Sequence, residues 1–97
     1  MLVLGIDPGT AICGYGVVDM TGNKLKPIFY GSIITTKDMA PELRLKKIYD
    51  DVCEIIEHFH PDFLSVEKLF FNRNVTTAIP VGQARGVVLL AAANHNT

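Results

Sequence analysis

Apolar residues recur along this chain in two periods, and the period names each element. Leu2–Ile6 is a short, nearly continuous apolar run and reads as a buried strand. The tetrad Asp7-Pro8-Gly9-Thr10 breaks it. Cys13–Met20 alternates loosely around two glycines and predicts a second strand, with Thr21-Gly22-Asn23 as the hairpin turn. Leu25–Thr35 predicts a third, and Pro27, which has no N–H to give to a ladder, puts that strand at the sheet edge. The period then changes. In Pro41–Phe59, Leu45, Ile48, Val52, Ile55 and Phe59 fall at steps of three and four, forming one apolar stripe of a helix. Pro41 and Glu42 suit its first turn, and His58 and Pro61 suit its end. Asp62–Glu67 reads as a strand closed by an acid. Val75–Asn94, rich in alanine and small residues, reads as a second helix that starts or kinks at Pro80.

The order β-β-β-α-β-α is that of an α/β domain with a mixed sheet: a hairpin meander, then a crossover returning parallel to the first strand. Such crossovers are right-handed in about 98 % of cases, so the first helix lies on one face of the sheet. At 97 residues the chain is one domain or a piece of one, residues 1–97. A chain of this size buries only about 60–65 % of its unfolded surface, so its stability is expected to be marginal. With 48% hydrophobic and 20% charged residues it is a core-forming sequence, which excludes disorder. The net charge of −1 does not announce a nucleic-acid binder, so any such reading rests on local features. Cys13 and Cys53 have no CxxC spacing and read as small core residues with free thiols. The apolar opening Met1–Ile6 is too short for a signal or a membrane span, and the expected location is the reducing cytoplasm, away from any membrane.

Two acids hold matching positions. Asp7 and Glu67 each end an apolar strand, and the crossover makes those strands parallel. On neighbouring strands they would stand about 4.8 Å apart, at the carboxyl edge where open α/β sheets place their ligands. Two hard oxygen donors so placed can share a divalent cation such as Mg²⁺, and phosphodiester hydrolysis uses such sites. Each acid also has a bland reading: Asp-Pro-Gly is a turn signature, and a strand-terminal glutamate is commonly a solvated end. Between strand and last helix, Phe70 and Phe71 sit beside Lys68 and Arg73, with Asn74 following. That mixture suits base stacking with phosphate contact, although by composition alone it is commoner for one or both rings to fold into the core. Gly82 and Gly86 lie on one face of the second helix, where another backbone, of the sheet or of a second subunit, can approach closely. Arg85 between them could meet phosphate or simply be solvated. His58 and His60 read as solvent-facing helix-end residues, and Arg44, Lys46 and Lys47 as the wet face of the first helix.

The two motif blocks together resemble a known family. Leu4-Gly5-Ile6-Asp7-Pro8-Gly9-Thr10 followed by Gly14-Tyr15-Gly16 looks like the opening of RuvC-type Holliday-junction resolvases. Glu67 with Phe70 and Asn74, then Gly82-Gln83-Ala84-Arg85-Gly86, is similar to that family's central block, and the likeness runs along the whole chain. The resemblance implies a ribonuclease-H-like fold whose last strand and helices are missing here. It implies a homodimeric endonuclease that nicks two strands of like polarity at a four-way DNA junction, using Mg²⁺ or Mn²⁺. Asp7 and Glu67 would be metal-binding catalytic acids and Phe70 the aromatic at the junction, with Arg73, Asn74 and Arg85 as further DNA contacts. A branch-migration helicase complex is an implied partner. Two further catalytic acids stand near the C-terminus of family members, and the chain stops before them. By itself it is therefore expected to hold metal poorly and not to cut DNA.

Two other functions fit part of the pattern. Asp7-Pro8-Gly9-Thr10 also matches the phosphate hairpin of actin-like or sugar-kinase ATPases, which the Phe70–Asn74 segment and the glycine-containing helix argue against. A non-catalytic oligomerisation module would use Gly82–Ala93 purely as an interface.

Overall fold

The computed structural model of the protein describes residues 1–66 and 75–97, with residues 75–78 described by their backbone alone. The elements are β1 (Leu2–Asp7), β2 (Ile12–Thr21), β3 (Lys24–Ile34), α1 (Pro41–Phe59), β4 (Phe63–Val66) and α2 (Val75–Asn94). They form one sheet in the order β3-β2-β1-β4. β1 is antiparallel to β2 and parallel to β4, as the crossover requires. Pro27 does lie in the edge strand.

Local chemistry explains the boundaries. Gly22 takes φ 62 as the first of two residues between Thr21 and Lys24, the sign pattern of a type II′ hairpin turn. α1 opens on Pro41 and closes when His60 adopts the left-handed conformation (φ 51), its N–H meeting the Ile56 carbonyl at 2.9 Å. The parallel pair is started by a reciprocal clamp. The Leu2 N–H donates to the Asp62 carboxylate at 2.9 Å, and the Asp62 N–H donates to the Leu2 carbonyl at 2.8 Å. β4 is shorter than the Asp62–Glu67 run: Asp62 serves the clamp, Phe63–Val66 forms the ladder, and Glu67 lies outside the described residues. α2 does not start at Pro80 but at Val75, with the proline inside it. Pro80 is the sixth residue of α2, past the four whose N–H groups have no acceptor within the helix, so it removes one i→i−4 hydrogen bond and crowds the preceding turn.

The period-2 alternation of the strands sorts the sheet into two unlike faces. Leu4 and Ile6 point to one face, opposite Val17 and Tyr15 of β2 and level with Leu64 and Val66 of β4. Both helices pack on that face: Ile48, Val52, Ile55 and Ile56 of α1 and Ala84, Val88 and Ala91 of α2 close the core with Leu4, Ile6, Cys13, Val17 and Ile33. The stripe read from the sequence is thus the buried one, with Leu45 and Phe59 at its half-buried ends. Asn94 Nδ2 donates to the Tyr49 hydroxyl at 2.6 Å, and His95 Nε2 meets a Glu57 oxygen at 3.1 Å, tying the two helices side by side. The other face carries Val3, Gly5 and Asp7 beside Val18, Gly16 and Gly14. No described element covers it, and Ile12, Tyr30, Ile34 and Phe63 are each more than half exposed.

Candidate active site

Asp7 is the last residue of β1, paired with Gly14 of β2. Alternation turns its side chain away from Ile6, onto the open face, where it is exposed. Its carboxylate makes no hydrogen bond or ion pair among the described residues. Gly14 stands opposite it with open space above, and Gly5 and Gly16 form the next facing pair, where the Tyr30 ring lies against Gly16. A Cβ on Gly14 would meet nothing within 4 Å, so a large ligand could approach the carboxylate along the sheet surface.

The loop after Asp7 is held by a network that the sequence pattern does not announce. Thr35, the one buried polar residue in the described core, donates its hydroxyl to the Thr10 carbonyl, and its N–H donates to the Ala11 carbonyl at 3.0 Å. Arg44 Nε donates to the Thr35 hydroxyl at 2.8 Å. Arg44 therefore does not belong to the wet face of α1. It turns back, half-buried, to brace the loop after Asp7, whereas Lys46 and Lys47 pair along the helix with Asp50 and Asp51. The loop is tight: a Cβ on Gly9 would run into the Ile12 carbonyl oxygen. Below it the Cys13 thiol is pushed up from its ordinary value, first by burial and also by the nearby Asp7 charge, against a lowering backbone hydrogen bond from Gly9. That thiol stays protonated and structural.

Glu67, Phe70, Arg73 and Asn74 lie outside the described residues. What the structure describes is the approach to Glu67: Ile6 pairs with Val66 in the parallel ladder, and Asp7 and Glu67 are the next residues of the two strands' chains. Among the described residues no group of three or more His, Cys, Asp or Glu side chains could hold a metal ion. Asp7 fits as one hard oxygen ligand, not as a complete site. On α2, Arg85 is half-buried and its Nε has no hydrogen-bond partner among the described residues. Gly82 and Gly86 do not pack on the sheet. Both are exposed, with nothing within 4 Å of a Cβ at either, because Ala84, Val88 and Ala91 supply the buried side of the helix. His58 and His60 are exposed, as expected. No described helix is long and apolar enough to cross a membrane.

A carboxylate at the C-terminal end of the central strand of a mixed β-β-β-α-β-α sheet defines a ribonuclease-H-like domain. The family model described as crossover junction endodeoxyribonuclease RuvC matches residues 3–97, and the chain belongs to that family. It is 54% identical over 96 residues to the crossover junction endodeoxyribonuclease RuvC of Desulforamulus reducens, covering 99% of this chain and 59% of that protein. It is 58% identical over 92 residues to the RuvC of Brevibacillus brevis, covering 95% and 55% respectively. It therefore spans somewhat more than half the length of these relatives. Thermus thermophilus RuvC, solved in complex with a Holliday junction substrate, superposes with a TM-score of 0.92 at 34% identity, covering all of this chain and 62% of that one. An Aquifex aeolicus PPX-GPPA enzyme shares the fold alone, at TM-score 0.61 and 16% identity.

Proposed function

We propose that this chain supplies one metal-binding edge of an endonuclease that resolves four-way DNA junctions in recombination and repair. The observation that carries the reading is Asp7: a solvent-facing carboxylate, without a partner among the described residues, at the carboxyl end of a strand that runs parallel to the one leading into Glu67. Family membership and the junction-bound Thermus thermophilus relative supply the substrate class. Asp7 and Glu67 would hold Mg²⁺ or Mn²⁺, and such an ion stabilises the attacking and leaving oxygens of phosphodiester hydrolysis. The protein's own contribution is placement. Thr35 and Arg44 hold the loop behind Asp7, and Gly14 beside it leaves room for a DNA backbone. Phe70 would stack on an unpaired base, with Arg73, Asn74 and Arg85 on phosphates. The ATPase reading loses its support, because the family match runs through the Glu67-to-Gly86 block that argued against it.

Two copies would meet through α2. Ile79, Gly82, Gly86, Leu89, Leu90 and Ala93 are exposed along one side of that helix, and glycines let a second backbone come close. Two copies related by a twofold axis would place two Asp7 edges on two strands of a junction. A helicase that moves the junction would act in the same cytoplasmic complex.

The test is a chimera in which this segment replaces the matching residues of the Brevibacillus brevis relative. With Mg²⁺ it is expected to place paired nicks in strands of like polarity in a four-way junction and to leave linear duplex of the same sequence intact. Phe70→Ala in that chimera should lose about 1–3 kcal/mol of stacking. The loss should appear in junction cleavage with the melting temperature unchanged. A Phe70→Ala protein that melts early and cuts normally would return Phe70 to the core.

A further inference from the structure

We propose that the groove between β3 and α1 docks a protein partner that adds an extended strand to the free half of β3 and carries arginine or lysine at alternate positions. This is independent of the nuclease reading.

The groove, about 690 Å³, is floored by Tyr15, Phe29 and Phe59 and walled by Ile28, Ile33 and Ile55. Its rings form a ladder: Tyr15 and Phe29 stack at 6.0 Å, and Phe29 and Phe59 lie 5.7 Å apart. His58 meets the far edge of Phe59 at 4.6 Å. The rim is acidic. Asp51 and Glu54 line the groove, and among the described residues no lysine or arginine does. Lys47 already holds Asp51 at 2.6 Å, but Glu54 has no hydrogen-bond or ion-pair partner among the described residues.

The edge beside the groove is unevenly guarded. The first half of β3 carries Lys24, Lys26 and Pro27, residues that discourage strand addition. The second half, Ile28-Phe29-Tyr30-Gly31-Ser32-Ile33-Ile34, carries no charge and no proline. A register shift between Val17 and Val18 marks the division. An uncharged, exposed edge of this length is a template for an added strand. Side chains of that strand on the helix-bearing face would pass over Phe29 and Phe59 towards Glu54. Arginine and lysine suit that path, since their alkyl stems cover aromatic rings while their heads reach a carboxylate. A second copy of this chain brings no cation in its own Ile28–Ile34, so edge-to-edge pairing leaves the acids unanswered. The groove lies on the face opposite Asp7, so an occupant leaves the candidate nuclease edge clear.

The probe is a fluorescein-labelled, acetylated nine-residue peptide alternating arginine and valine, titrated into the 97-residue chain and followed by anisotropy. Saturable binding is expected. Glu54→Lys, a change at an exposed helix position, should weaken it about tenfold. N-methylation of the peptide at every arginine or at every valine should give one pattern that abolishes binding and one that is tolerated, because only alternate N–H groups of a strand face its neighbour. No saturable binding, equal binding by a scrambled peptide with its arginines in one block, or indifference to Glu54→Lys would overturn the proposal. So would self-association through β3 that excludes the peptide.

Discussion

Thr35 sits at the end of β3 with its hydroxyl between two partners, giving a hydrogen bond to the Thr10 carbonyl and accepting one from Arg44 Nε. Removing the hydroxyl strands both a carbonyl and a half-buried guanidinium nitrogen. Thr35→Val is nearly isosteric, yet it should cost about 1–3 kcal/mol in urea unfolding, with Thr35→Ser much milder. If Thr35→Val is neutral, the brace behind Asp7 is not a brace. Nothing in the residue pattern points to this contact. A threonine closing a strand and an arginine in the first turn of a helix are each unremarkable alone, and only the fold brings them together. Asp7 is the reverse case: an acid ending an apolar run stands out in the residue pattern alone, and the fold adds which way it faces. Arg44 shows the limit of reading charge from a helical wheel, because its long side chain reaches past the helix surface to a neighbouring loop.

At the scale of elements, period is a sound guide wherever one face is buried. Ile48, Val52 and Ile55 in α1 and the alternation of Leu4 and Ile6 in β1 are where the core is. α2 is harder to read, because its alanines fit either side of a helix and its glycines have two possible uses. The structure removes the first, packing on the sheet, since both glycines face solvent. Gly86→Ala then carries a double expectation. Alanine in an exposed helix interior should stabilise the folded monomer by about 0.5–1 kcal/mol. At a close helix–helix contact the same methyl should weaken self-association, read by sedimentation across a micromolar dilution series. Association unchanged by Gly86→Ala and by Gly82→Leu would remove the helix from the interface.

The pair α1–α2 also carries a pH dependence. Both His95 ring nitrogens face acceptors, Nδ1 the Ala91 carbonyl at 2.8 Å and Nε2 the Glu57 carboxylate, so the imidazolium form fits best. The Ala91 carbonyl first, and Glu57 next, hold its pKa above the ordinary value. Because the folded value is raised, the contribution is complete below the unfolded pKa of about 6.5 and is lost as pH rises through the folded value. Unfolding measured between about pH 5 and pH 8, below the range of the two thiols, should show stability falling as pH rises. His95→Leu should flatten that fall. An unchanged slope would mean that the clasp does not form in solution.

Among the described residues the molecule is one-sided: both helices lie on one face of the sheet, and the other, the face that carries Asp7, exposes Ile12, Tyr30, Ile34 and Phe63. Parallel strand pairs are ordinarily covered on both faces, and exposed apolar surface of this kind ordinarily marks a place of contact. The relatives, of which this chain spans somewhat more than half, have further sequence with which to meet it. The architecture is legible in the sequence down to strand order, because a hairpin meander followed by a crossover leaves few arrangements. The bareness of one face is not legible, since Ile12, Ile34 and Phe63 look like core residues in any apolar count. The DNA-facing roles proposed for Phe70, Arg73 and Asn74 rest on the motif and on family membership. The central claim is Asp7 as a metal ligand. The most direct measurement compares junction cleavage and junction binding by the Brevibacillus brevis chimera with and without Asp7→Asn, in Mg²⁺. Loss of cleavage by several orders of magnitude with binding retained is the predicted result, since the amide keeps the shape and loses the charge that holds the ion. Cleavage at an undiminished rate by Asp7→Asn would contradict it.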